Sequence, residues 1–224
     1  MSEDIRLKKI FQSSCKLFIN KGFSNTKMKD IAHDAGISVG SMYDLFQNKD
    51  SLLNFIFLAT LDDKIIYSAH DYPIQSIATE DLVQRTKKSY KKISTNINQN
   101  LINNQSYTLS QLVDDFFTIF TKYGQYFLIL EKNPEINPEL VSLYKDYRND
   151  LYNKLEIYLK HSIKDKNIRP TINSSYDSML IIDLIFWWST HKKYDSFENF
   201  KNNYSISTMK KTISDLLSIG YQKR

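Results

Sequence analysis

The chain has 224 residues, 42% of them hydrophobic, with 30 Lys+Arg against 25 Asp+Glu for a formal charge of +5. That supports one or two cored domains; with no run of 18 apolar residues and no apolar signal core in the charged stretch Met1 to Ile10, membrane spanning and secretion are not expected, and a cytoplasmic protein is. The lone Cys15 excludes an intrachain disulfide or a thiolate metal cluster, and it reads as a small buried hydrophobe.

A first helix is expected from about Glu3 to Asn20, with Leu7, Ile10, Phe11, Ser14, Leu17 and Phe18 on one stripe and Gly22 ending the element. Thr26 is placed to cap a second helix, in which Met28, Ile31, Ala32 and Ala35 recur at helical spacing. Gly36 stops it, Ile37 closes the turn, and Ser38 caps a short third helix from Val39 to about Phe46. Met42 and Phe46 fall on its inner face, which leaves Gly40, Ser41, Tyr43 and Asp44 outward. A short helix braced by another across a glycine turn suits a DNA major groove, where small residues let the backbone approach and hydroxyls reach phosphates or base edges. Asn48 then caps a fourth helix, carrying Leu52, Leu53, Ile56, Phe57, Thr60 and Leu61, expected to continue to about Ala69 before the stop at Pro73.

The ordered series Phe18-Ile19-Asn20-Lys21-Gly22-Phe23, Thr26, Asp30-Ile31-Ala32, Ala35-Gly36-Ile37-Ser38, Gly40-Ser41-Met42-Tyr43, Phe46, Asn48-Lys49-Asp50 and Leu52-Leu53 closely resembles the TetR family of bacterial transcriptional regulators. It departs from that pattern at Asp44, acidic where a neutral or basic residue is common, and at apolar Val39. The resemblance implies a helix-turn-helix DNA-binding domain over 1–47 and a helical ligand-binding and dimerisation domain over 48–224, joined by the helix 48–69. The expected DNA-facing residues are Thr26, Lys29, Ser38, Val39, Gly40, Ser41, Tyr43, Asp44 and Lys49, with Thr26, Lys29 and Lys49 gripping the backbone.

Beyond Pro73 the pattern stays helical: about 80–102 with a thin apolar face of Leu82, Thr86, Tyr90, Ile93 and Ile97, a loop at 103–106, and 108–132 as the most apolar segment. A proline-containing break at 133–138 leads into a helix to about Lys166, and two more are expected at about 174–194 and 205–221. No strand alternation or hairpin signal appears, so the fold class is all-α with about nine helices.

Phosphate loops, nucleophile elbows and paired carboxylates are absent from the sequence, and none of the four histidines has a partner at metal-ligand spacing. No enzyme, metal or cofactor is expected. Phe116, Phe120, Tyr123, Phe127, Tyr147 and Trp187 are candidates for a pocket taking a small apolar or aromatic effector, against the plainer reading of core packing. Ile182, Ile185, Trp188, Ile206, Met209, Ile213, Leu216 and Leu217 are candidates for a homodimer interface, because two strongly apolar helices exceed what one body covers. The expected function is a repressor released from a double-stranded DNA operator by a small molecule. The alternative is a DNA-bound protein whose body contacts another protein, or one acting without an effector.

Overall fold

The computed structural model describes residues 3–103, 106–197 and 205–223. Its helices are α1 (Glu3–Asn20), α2 (Met28–Ala35), α3 (Val39–Leu45), α4 (Lys49–Leu61), α5 (Thr79–Asn103), α6 (Leu109–Lys132), α7 (Pro138–Lys164), α8 (Ser174–Phe186, continued by a π-helical turn Trp187–His191 and a last turn Lys192–Tyr194) and α9 (Ile206–Gly220). Among the described residues the all-α class and the nine elements hold, and the β-type pairing is a single bridge between Phe46 and Ile74. Of the expected loop at 103–106, Asn104 and Gln105 lie outside the described residues, and α5 extends through Asn103. No helix of the described residues is long and apolar enough to cross a membrane.

The fourth helix is shorter than its apolar stripe suggests. Asn48 caps it, its side chain accepting from Ser51 N at 2.8 Å while Ser51 Oγ accepts from Asn48 N at 3.1 Å. It ends at Leu61, where Asp62 turns extended and its carboxylate accepts from Lys64 N, opening the 3-10 turn Asp63–Tyr67. A short acidic side chain that captures a nearby backbone N–H competes with the helix ladder, and here it wins. The helix expected over 48–69 is thus corrected to Lys49–Leu61.

The chain forms two compact units, the first from Met1–Ser89 with Gln125–Val141, the second from Tyr90–Gly124 with Ser142–Arg224. In the first, Leu7, Ile10, Phe18, Ile31, Met42, Phe46, Leu52 and Phe57 are fully buried, and so is Cys15, whose thiol burial pushes up in pKa. Tyr126 packs its ring edge-on against Phe57 at 5.4 Å. Asn133, at the end of α6, is wholly buried: its amide donates to Phe18 O at 3.0 Å and Ile129 O at 2.8 Å, and its oxygen accepts from Phe23 N at 2.5 Å. One side chain thereby pins the link between α1 and α2.

The second unit is cored by α6, α7 and α8. Leu112, Val113, Phe116, Phe117, Phe120, Leu151, Leu155, Ile181, Ile182 and Ile185 are buried, with Phe120 edge-on to Phe186 at 5.2 Å. The π-helical turn packs closely against α6. Thr190 sits so close to Gly124 of α6 that a Cβ there would lie 2.6 Å from Thr190 Oγ1, and the Thr190 hydroxyl donates to Phe120 O at 3.1 Å. The widened turn brings His191 over Trp187, rings stacked at 4.5 Å, with Nδ1 3.6 Å from an Asp195 oxygen.

The expected dimer residues divide. Ile182, Ile185, Ile213 and Leu217 are buried in the unit's own core, Trp188, Ile206 and Met209 are half-buried, and Leu216 is 59% exposed. Their assignment as one interface is corrected, because α8 and α9 are apolar on two faces and the period alone does not say which one the unit keeps. The outward apolar residues are Tyr176, Met179, Leu180 and Trp187 on α8 and Leu216 and Ile219 on α9.

Candidate nucleic-acid interface

The turn between α2 and α3 is built by backbone geometry. Gly36 lies at φ +67°, Ile37 N donates to Ala32 O at 3.0 Å and Gly36 N to His33 O at 3.2 Å, the paired closure that a left-handed residue makes possible. Ser38 starts α3 at once, its hydroxyl oxygen accepting from Ser41 N at 3.0 Å. The other end of α3 is held by the segment after the 3-10 turn, where Ile74 N donates to Leu45 O at 2.8 Å and Gln47 N to Ile74 O at 3.0 Å. With Met42 and Leu45 buried beneath it, the short helix is fixed at both ends and along its inner face.

What remains outward is the face expected from the sequence to meet DNA. Ser38, Val39, Gly40, Tyr43 and Asp44 are exposed, Tyr43 at 52% and Val39 at 44%, and Ser41 is half-buried with its hydroxyl 2.9 Å from that of Ser38. Gly40 meets no internal demand: a Cβ there would find its nearest atom at 3.8 Å, an ordinary contact. Glycine inside a helix costs roughly 0.5–1 kcal/mol relative to alanine, and no contact within the chain accounts for it at this position. In a major groove the Val39 methyls match a thymine methyl, the Asp44 carboxylate accepts from a cytosine amino group, and the phenol of Tyr43 donates to a phosphate or base edge.

Two of the residues expected to grip the DNA backbone are engaged within the chain instead. Thr26 does not cap α2; that position is Lys27, whose N–H donates to Asp30 Oδ2 at 3.0 Å. Thr26 is fully buried and its hydroxyl donates to Gly22 O at 2.7 Å, so it holds the loop from within. Lys49 is also turned inward, its ammonium donating to Phe23 O and lying 3.9 Å from the Phe23 ring centroid, with its pKa lowered by burial. Two further cations of the head are matched internally, Lys16 with Asp34 at 2.6 Å and Lys21 with Asp30 at 2.7 Å, which hold both carboxyls below their usual range. Exposed at the start of α2 are Lys29, one of the residues expected to grip the backbone, and Lys27, which the sequence-based set leaves out. Lys27→Ala and Lys29→Ala are each expected to lower the salt dependence of DNA binding by about one ion, the amount one phosphate contact contributes, while Lys49→Ala leaves the slope unchanged. Titrations at several salt concentrations read all three.

The candidate effector residues fall in both compact units. Phe127 belongs to the first unit, edge-on to Tyr126 at 5.8 Å. In the second, Phe116 and Phe120 are buried against one another at 5.6 Å, Tyr147 is stacked on Tyr90 at 4.6 Å with its pKa raised by burial, Tyr123 is half-buried, and Trp187 is 40% exposed. No group of His, Cys, Asp and Glu able to hold a metal ion occurs among the described residues.

Residues 10–56 match the model of bacterial regulatory proteins of the tetR family. Among solved structures, the chain is similar to a transcriptional regulator from Saccharomonospora viridis in complex with choline, at 14% identity over 97% of this chain and 98% of that one, with a TM-score of 0.53. It is also similar to a TetR-family transcriptional regulator from Marinobacter aquaeolei VT8 at 19% identity, covering 100% and 92% of the two chains, with a TM-score of 0.52. A Clostridium perfringens fatty acid metabolism regulator is 16% identical over 96% and 100%, with a TM-score of 0.50. At these identities the likeness establishes the fold. No curated protein matched the sequence.

Proposed function

This chain belongs to the tetR family of bacterial regulatory proteins through its head, residues 10–56, and from that premise we propose that it is a homodimeric repressor that leaves its DNA operator when a small organic effector binds. The observation that carries the DNA reading is α3 itself: a seven-residue helix fixed at both ends, with Val39, Gly40, Tyr43 and Asp44 turned outward and Lys27 and Lys29 exposed at the start of α2. A helix that short reads only a few base pairs, so useful specificity calls for two copies on half-sites about 34–36 Å apart.

The pairing surface we propose is the outward stripe of α8, where Tyr176, Met179, Leu180 and Trp187 recur at helical spacing, with Leu216 and Ile219 of α9. These six large apolar side chains are each at least 40% exposed on one chain, and a two-fold pairing of like faces would cover them. The double change Leu180→Glu with Leu216→Glu places charge only where side chains are already outside. It is expected to give a folded monomer in sedimentation that binds operator at least about 100-fold more weakly, since truncation at an interface centre costs on the order of 2–4 kcal/mol. A variant that stayed dimeric would reject this stripe.

The effector reading is supported by the aromatic interior of the second unit and by the choline complex of the Saccharomonospora viridis regulator, a small organic cation in a protein of this fold. Helix α6 carries Phe116 and Phe120 and also Tyr126, Phe127 and Asn133's hydrogen-bond partner Ile129, so it is the element through which occupancy would bias the head. The reading requires a compound that both raises the melting temperature and releases operator; compounds that do the first without the second speak against it.

A further inference from the structure

We infer that the cleft where α7 ends is a binding site for a small amphipathic anion, a phosphate or carboxylate group carried on a short apolar body. The cleft holds about 620 Å³ and is lined by Lys164, Lys166, Arg169 and Lys223 around a floor of Ile163, Ile168 and Pro170; among the described residues none that lines it is acidic. That volume lies in the range of small-molecule sites, and cations around an apolar floor are the complement of a charged head with a greasy body.

A plainer account assigns lysines at a helix C-terminus to the helix dipole. It covers Lys164 and Lys166 but not Lys223 or Arg169, which reach the cleft from other segments. Arg169 is also held in advance: its backbone N–H donates to Tyr221 O at 3.0 Å, Nε to Gly220 O at 2.5 Å and Nη1 to Pro170 O at 3.0 Å, while the guanidinium lies 5.4 Å from the centroid of the Tyr221 ring. Tyr221 is itself anchored by its hydroxyl on Asp177 at 2.7 Å. Of the five N–H donors a guanidinium offers, these bonds use two and leave the rest of the fork for a ligand. Lys166 adds a second sign. It closes α7 in the left-handed conformation at φ +59°, with Lys166 N donating to Ile163 O at 3.0 Å and Asn167 N to Ser162 O at 2.8 Å. Glycine is the ordinary occupant of that position, so a lysine there holds its place against local preference.

Calorimetric titration of the full chain at low salt with hexyl phosphate, inorganic phosphate and hexanol tests the assignment. Hexyl phosphate is expected to bind one per chain, at least tenfold more tightly than inorganic phosphate, and hexanol not to bind. Lys164→Gln with Lys223→Gln, both exposed, should weaken hexyl phosphate at least tenfold with helix content unchanged. Lys166→Gly should raise the melting temperature yet weaken binding, a split that a dipole role does not produce. Absence of saturable binding, equal binding of hexanol, or unchanged affinity in the double variant would overturn the site.

Discussion

Replacing Tyr43 by alanine is expected to remove operator binding by a factor of about 100 or more while shifting the melting temperature by no more than a degree or two. The phenol stands on the outer face of α3 at 52% exposure, so the fold loses little when it goes. A specific contact to a base or phosphate contributes on the order of 1–3 kcal/mol, and a two-fold pair loses it twice. Fluorescence anisotropy on an operator fragment, beside a thermal melt, separates the two effects. Tyr43→Phe divides the phenol further: a hydroxyl that donates to DNA makes this variant nearly as weak as alanine, whereas a ring that only packs against the sugar leaves it close to the parent.

The largest expected loss of stability follows Asn133→Ala. The change strips Phe23 N of its acceptor in a part-buried bond and Phe18 O of its donor in a buried one, and it leaves a small cavity. An orphaned buried backbone group costs about 1–3 kcal/mol, and with Phe23 N only partly buried the two put the loss at roughly 2–5 kcal/mol, or a fall of roughly 4–20 °C in the melting temperature of a chain this size. Operator affinity should fall as well, because Phe23 N lies in the loop that sets where α2 begins. Asn133→Asp is an informative companion: its carboxylate still accepts from Phe23 N but cannot donate to Phe18 O at neutral pH, so it should not recover the parent melting temperature. A melt within a degree of the parent for Asn133→Ala would show that the amide is not the pin between α1 and α2.

Much of the head was legible because its signals are local. Gly36 at positive φ, the Ser38 and Asn48 caps and the inward pair Met42 and Phe46 depend on residues a few positions apart, and each stands where the spacing put it. Most of the misreadings are tertiary. Thr26 has the right side chain for a cap, but burial turns its hydroxyl back to Gly22 O, and Lys49 has the right charge for a phosphate, but the Phe23 carbonyl and ring lie nearer. The helix past Leu61 failed at a single competing carboxylate, Asp62. In α8 and α9 the apolar period was read correctly while its direction was not, since Ile213 and Leu217 serve the unit's own core and Leu216 between them faces out. The role of Asn133 depends on partners more than 100 residues away in the chain, and no pattern within a helix announces it.

Selection of bound fragments from genomic DNA, run in parallel with the parent chain and with Tyr43→Ala, tests whether α3 reads operator DNA as one half of a two-fold pair. The parent is expected to enrich a short inverted repeat whose half-sites lie about one helical turn apart or modestly more, and the Tyr43→Ala selection to return no such repeat. Enrichment of the same repeat by the variant, or of no common sequence by the parent, would contradict that reading.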